Sequence, residues 1–165
     1  SEMCIRDSDL TVPVVETELI PLPEAKGRVV ASTVDAPMDL PPFDASAMDG
    51  YALHAKDLDS GRELIVVGES RAGHVHLSPL VPGTAVRILT GAPIPKGTAA
   101  IVIQEDVARD GVQIRLSGSI QSGANIRRRG HDVAKTQSLV TSGDRLDAYK
   151  ISSVSYTHLT LPTKA

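Results

Sequence analysis

"TAVRILTGAPIPKGTAAIVIQEDVARDGVQIRLS", residues 84–117, carries three strand signals and two kinds of turn in one run. Residues 84–90 alternate, with Val86 and Ile88 on one expected face and Arg87 on the other, the period of a half-buried strand. Gly91, Pro93 and Pro95 then break the pattern. "AAIVIQ" (99–104) is apolar at both parities, which predicts a strand covered on both faces and central in its sheet. "ARDGVQ" (108–113) is a hairpin signal, because Asp110-Gly111 can supply the positive φ angles of a two-residue primed turn. A further strand is expected at 112–117.

Outward from this run the pattern repeats. Strand candidates lie at 51–55, 63–68 and 137–141, and "VVASTV" (29–34) has β-branched strand content. "PLPEAKGR" (21–28) is the best short helix, with Pro23 suited to a first turn and Gly27 to an end. "DAPMDLPPFD" (35–44) holds three prolines and reads as an extended crossing segment. No long amphipathic helix is expected. Short strands separated by Gly/Pro turns define the class: mainly β with a little α, as a barrel or folded sheet.

Composition narrows the function classes. The 165 residues are 41% hydrophobic and 22% charged, the balance of a soluble globular chain. Phe43, Tyr51, Tyr149 and Tyr156 are the only aromatics, so the core is aliphatic and a base-stacking surface is not expected. A net charge of −3 supplies no basic field for nucleic acid or anionic membrane. No apolar run is long enough to span a bilayer or serve as a secretory leader. The lone Cys4 excludes a disulfide framework, and cytoplasmic is the expected location. "SEMCIRDS" (1–8) and "SVSYTHLTLPTKA" (153–165) continue no neighbouring periodicity and read as non-native tails outside the fold.

Three stretches can carry chemistry. In "FDASAMDGYAL" (43–53) Asp49 precedes Gly50, so its carboxylate is either an Asx-type turn or a base, Mg²⁺ ligand or acceptor at a pocket edge. In "RILTGAPIPKG" (87–97) Thr90 ends a strand and Gly91 frees the chain. That pair either caps a rigid connection or offers a hydroxyl and an amide to an anion. "NIRRRGHD" (125–132) places Arg127 and Arg129 on one side and Arg128 on the other if extended. Such guanidinium forks match phosphate oxygens; the competing reading is a solvated face bridged to Asp132, Glu105 and Asp106. His74 and His76 would share one face of any strand, as a weak metal pair or, more often, simply surface, and no Ser/His/Asp triad is spaced for catalysis.

Together, "PPFDASAMDGYAL", "VRILTGAPIPKGTAAIVIQEDV" and "NIRRRGHDV" resemble, in order and spacing, the MoeA-type molybdopterin molybdenumtransferases, the family that includes the E domain of gephyrin. "AKGRVVA" (25–31) is similar to the family's segment before the proline-rich crossing, and the resemblance runs from about residue 16 to 151. It implies an incomplete extended domain I at 9–43 and 137–152 with an inserted β-barrel-like domain II at 44–136. It also implies insertion of molybdate into adenylated molybdopterin with release of AMP, Mg²⁺ as the divalent ion, and a homodimer. Asp49 and Thr90 match the family's catalytic positions. Ser46, Gly91, Arg127, Arg128 and Arg129 match its substrate- and phosphate-binding stretches. Ala45 stands where the family usually has Asn, and His131 where it usually has Glu. The family's α/β pterin-binding domain is not found after residue 152, so this chain alone is expected to be inactive. A dimerisation or scaffold module of gephyrin-like type is the alternative.

Overall fold

The computed structural model describes residues 14–59 and 61–164. In chain order the strands are β1 (Thr17–Pro21), β2 (Val34–Asp35), β3 (Ala45–Ser46), β4 (Gly50–His54), β5 (Glu63–Ser70) and β6 (Thr84–Ile88). There follow β7 (Thr98–Ile103), β8 (Val107–Asp110), β9 (Gln113–Leu116), β10 (Ile126–Arg127), β11 (Ser138–Val140) and β12 (Thr160–Lys164), with helix α1 (Ala148–Ser155) between the last two. The mainly-β class expected from sequence is what the chain forms. Two compact units divide it: described residues up to Met38 and from Lys135 onward form one, and Asp39–Ala134 the other.

In the first unit β1 pairs antiparallel with β12, and β2 with β11. Its core joins Ile20, Leu22, Ala25, Val30, Val34, Val140, Leu146, Val154 and Leu161. The expected helix at 21–28 shrinks to a single 3₁₀ turn, Leu22–Glu24, and the 29–34 strand to bridges at Val29 and Val30 ahead of β2. Of segment 153–165, set aside from sequence as a tail, the described residues 153–164 are packed instead: Val154 and Leu161 are fully buried and β12 pairs along all of β1. Segment 1–8 lies outside the described residues.

α1 begins at Asp147, whose carboxylate accepts from Lys150 N at 2.8 Å. Nearby, Asp144 accepts from Lys150 Nζ at 2.7 Å and from Thr141 N and Oγ1 at 2.8 and 2.9 Å. The Lys150 bond first, then the two Thr141 donors, hold its carboxyl down to about 2. A carboxyl depressed in the fold stabilises above its unfolded value of about 3.9 and loses that contribution as pH falls through its folded value. Acid unfolding followed by circular dichroism should therefore show a stability decline between about pH 4 and 2, and Asp144→Asn should flatten that part of the curve. An unchanged acid limb in the variant counts against the pairing.

The second unit is a curled six-stranded sheet in the order β7-β4-β6-β5-β9-β8, with β5 and β6 parallel and the other neighbours antiparallel. One face buries Tyr51, Leu53, Leu64, Ala85, Val102, Ile114 and Leu116. The opposite face is covered too, by Ala52, Leu80 and Val86 and by Ile88, Ala92 and Ile101. β6 is thus not half-exposed as its alternation predicts: Ala85 is buried on Arg87's side, and Arg87 lies over the Tyr51 ring at 5.2 Å. β7 is covered on both faces as expected, yet it ends the sheet rather than centring it. Residues 121–126 seal its free edge through Ile101 N to Ala124 O, Gly123 N to Ala99 O and Asn125 Nδ2 to Ile101 O, at 3.0, 2.7 and 2.8 Å. The β8–β9 turn is Gly111-Val112, one residue later than the sequence signal, because Asp110 pairs with Gln113. Only Gly111 there needs positive φ, at 56°.

One carboxylate is wholly buried in this unit. Asp57 accepts from Arg62 Nε at 3.1 Å and from Gly83 N at 2.8 Å, tying the loop before β6 to the loop before β5. Each buried oxygen thereby has a donor, as desolvation demands.

Candidate functional site

β4 and β6 pair so that Gly50 faces Ile88. That register carries Asp49, one step before β4, to the end of β6 where Thr90 follows. Thr90 N and Thr90 Oγ1 both donate to Asp49 Oδ1 at 2.7 Å, while Asp49 O accepts from Gln104 N at 3.1 Å. The carboxylate is exposed, and no hydrogen bond reaches its Oδ2 among the described residues. The Thr90 amide, then the Thr90 hydroxyl, and more weakly the Arg87 charge lower its pKa. Asp49 is therefore ionised at neutral pH, clamped on one oxygen and open on the other.

Gly50 has a different role from the one its turn chemistry suggests. A Cβ there would stand 1.9 Å from Val102 O, so glycine is required by the close approach of β4 and β7.

β3 is the second positioning device. Ser46 pairs with Ile126 and Ala45 with Arg127, while Ala45 also bridges Pro93. This lays the 44–46 segment between the 91–94 turn and β10. An open hollow of about 400 Å³ results, lined by Ser46, Thr90, Gly91, Arg127, His131 and Asp132 among others. Two donors assigned to an anion from sequence are occupied by the chain itself. Gly91 N donates to Ser46 O at 2.8 Å, and the buried Ser46 hydroxyl donates to Met48 O at 2.5 Å. Thr90's hydroxyl proton is committed to Asp49. Ala45 is buried in the β3–β10 pairing, so Asp49 takes its orientation from Thr90 and needs no amide at 45.

The arginines do not alternate, because β10 ends at Arg127 and Gly130 turns the chain at φ 70°. Each meets a different carboxylate. Arg127 pairs with Asp132, Arg128 Nη1 with Asp44 Oδ2 at 2.7 Å, and Arg129 Nε with Asp39. Asp44 also accepts from Arg129 N at 2.8 Å, and this bond ahead of Arg128 lowers its pKa. Of the three guanidinium groups only Arg127 lines the hollow beside Thr90. Asp132, read from sequence only as a bridging partner, and His131 are the polar lining residues not proposed as site residues. Their signal was their place directly after the arginine run, but only the turn at Gly130 swings them back.

Among the described residues no three His, Cys, Asp or Glu side chains gather into a metal cluster. A divalent ion at Asp49 would take Oδ2 as one protein ligand and fill its shell from water and phosphate oxygens, the habit of Mg²⁺. Among the described residues no helix is long and apolar enough to cross a membrane.

The curled β-unit thus sets an ionised, half-open carboxylate beside Thr90, at the edge of a hollow lined by one guanidinium of the arginine run. The family model for the MoeA N-terminal region (domain I and II) matches residues 4–156. A molybdopterin molybdenumtransferase from Haemophilus influenzae is 41% identical over 133 residues, covering 79% of this chain and 33% of its own length. Molybdopterin molybdenumtransferase 2 from Mycobacterium tuberculosis is 42% identical over 131 residues, covering 75% and 32%. The solved molybdopterin biosynthesis MoeA protein from Pyrococcus horikoshii OT3 superposes with a TM-score of 0.83 at 37% identity, over 90% of this chain and 41% of that one. The chain belongs to the MoeA N-terminal region family. It spans about a third of the length of the curated relatives it matches.

Proposed function

We propose that this chain supplies one wall of a molybdenumtransferase active site, in which molybdate is inserted into adenylated molybdopterin and AMP leaves. The observation that carries this reading is the Thr90 clamp on Asp49 beside the Arg127-lined hollow. Both substrates are anions, so a bare Asp49 would repel them. Its lowered pKa makes it a weak base at neutral pH, where an effective general base titrates close to the working pH. A cation ligand is the better role: Oδ2 would hold Mg²⁺, and the ion would supply positive charge to the phosphate oxygens. Arg127, with two of its five N–H donors on Asp132, has others to offer an oxyanion. Arg128 and Arg129 brace the strand ends through Asp44 and Asp39 instead of facing the hollow. The opposite wall comes from further domains of the full-length enzyme, acting as a cytoplasmic homodimer.

A chimera tests this directly. Residues 16–151 should replace the matching region of the Haemophilus influenzae relative and retain molybdate-dependent AMP release. A folded dimeric chimera without turnover would favour the scaffold reading, for which the three arginine–aspartate braces are the supporting observation.

A further inference from the structure

Most arginines of this chain meet a carboxylate. Arg28, Arg62, Arg71, Arg115 and the three of the 127–129 run each lie within 4.0 Å of one. Among the described residues Arg87, Arg109 and Arg145 have no carboxylate that close, and each bonds a neutral oxygen instead. Two of these, Arg87 and Arg109, line one open hollow of about 610 Å³ together with Val66, Val67, Gly68 and Glu69. It shares no residue with the hollow beside Thr90. Strand register builds it. β9 pairs with β5 only from Glu63 to Ile65, and Val66 N donates to Val112 O at 2.7 Å, so the β8–β9 hairpin leaves the edge of β5 beyond that point. β5 also shifts register between Val66 and Gly68, which sets Val66 opposite Ala85 and Glu69 opposite Arg87. Residues three apart fall on opposite faces of a regular strand; the bulge brings both to the face that carries Arg87.

The two guanidinium groups are held but not neutralised. Arg87 lies over the Tyr51 ring and its Nη2 donates to Gln104 Oε1 at 2.7 Å, while Arg109 Nε donates to Gly111 O at 2.9 Å. Each of those bonds uses one of five N–H donors and leaves others for a ligand. Glu69 is the one carboxylate in the lining, and it lies 3.8 Å from Arg71, which is not a lining residue. Like charges facing one concavity concentrate anions there, and guanidinium forks match phosphate oxygens. We propose that this hollow is a phosphate-binding site, with Arg87 and Arg109 as its cationic contacts and Glu69 as a carboxylate that limits its affinity. The ligand is a phosphate oxyanion, free or carried by a nucleotide. This claim does not rest on the Asp49–Thr90 site.

The test titrates the whole chain with inorganic phosphate at pH 7.5 and constant ionic strength, followed by amide chemical shifts. Amides of residues 66–69 and 109 should move together and saturate, with a dissociation constant of about 1–5 mM. Arg109→Gln, and separately Arg87→Lys, which keeps a cation over Tyr51 but loses the fork, should each weaken binding about fivefold or more. Glu69→Gln removes the opposing charge and should tighten it about twofold or more. Arg145→Gln, the other arginine without a carboxylate, should change nothing. Shifts that do not saturate, that survive Arg109→Gln, that weaken in Glu69→Gln, or that fall equally in Arg145→Gln overturn the proposal. A parallel titration with AMP separates the two sources: tighter binding at the same amides assigns the phosphate to a nucleotide, and equal binding assigns it to the free ion.

Discussion

Asp49→Asn in the chimeric enzyme should reduce AMP release by about a hundredfold or more while leaving the thermal midpoint unchanged. Asparagine keeps an oxygen where Oδ1 accepts the two Thr90 bonds, so the β4–β6 corner should hold its shape. What it removes is the negative charge, and the open Oδ2 becomes an amide donor that repels a cation. A ligand role therefore predicts a variant that excess Mg²⁺ does not rescue. It also predicts a parent enzyme whose rate shows no deprotonation step from this carboxyl between pH 5 and 8, because Thr90 holds it ionised well below that range. Thr90→Val, which keeps the backbone donor and loses the hydroxyl one, should cost much less, about tenfold. Full turnover in Asp49→Asn would reduce the motif to a bend in the chain.

Gly50→Ala should be the most destabilising single change in the sheet. The added methyl would stand 1.9 Å from the Val102 carbonyl oxygen and 3.1 Å from Ile103 Cα. Both are backbone atoms of a strand locked on its far side by residues 121–126, so no side-chain rotation relieves the clash. Overpacking of this kind costs about 3 kcal/mol or more where the neighbour cannot yield. Urea unfolding should show the midpoint fall with little change in slope. A loss below about 1 kcal/mol would mean that β4 and β7 separate easily. Gly91→Ala provides the contrast: nothing lies within 4 Å of its added methyl, and its penalty comes from φ 78° alone.

Asp49 and Thr90 mark how far the sequence reaches. Asp49 and Thr90 were each legible as half of a site, from a carboxylate before glycine and a hydroxyl at a strand end. That they touch was not, because 41 residues separate them and only the Gly50↔Ile88 register joins them. The arginine run was legible as charge, but its extended alternation was not followed. A strand of two residues ends before alternation can act, and three aspartates from different turns claim the guanidinium groups one by one.

The amino-acid order by itself determined the β class, the strand positions from 50 to 116 apart from β8, the aliphatic core and the three motifs. These depend on local periodicity, turn chemistry and composition, which neighbouring residues carry. Tertiary structure alone decided that β7 is a sealed edge, that Arg127 and not its neighbours meets the hollow beside Thr90, and that residues 160–164 pair along β1. Those outcomes depend on which distant segments arrive at the same place with unmet backbone groups and apolar surface, and no local pattern encodes that meeting.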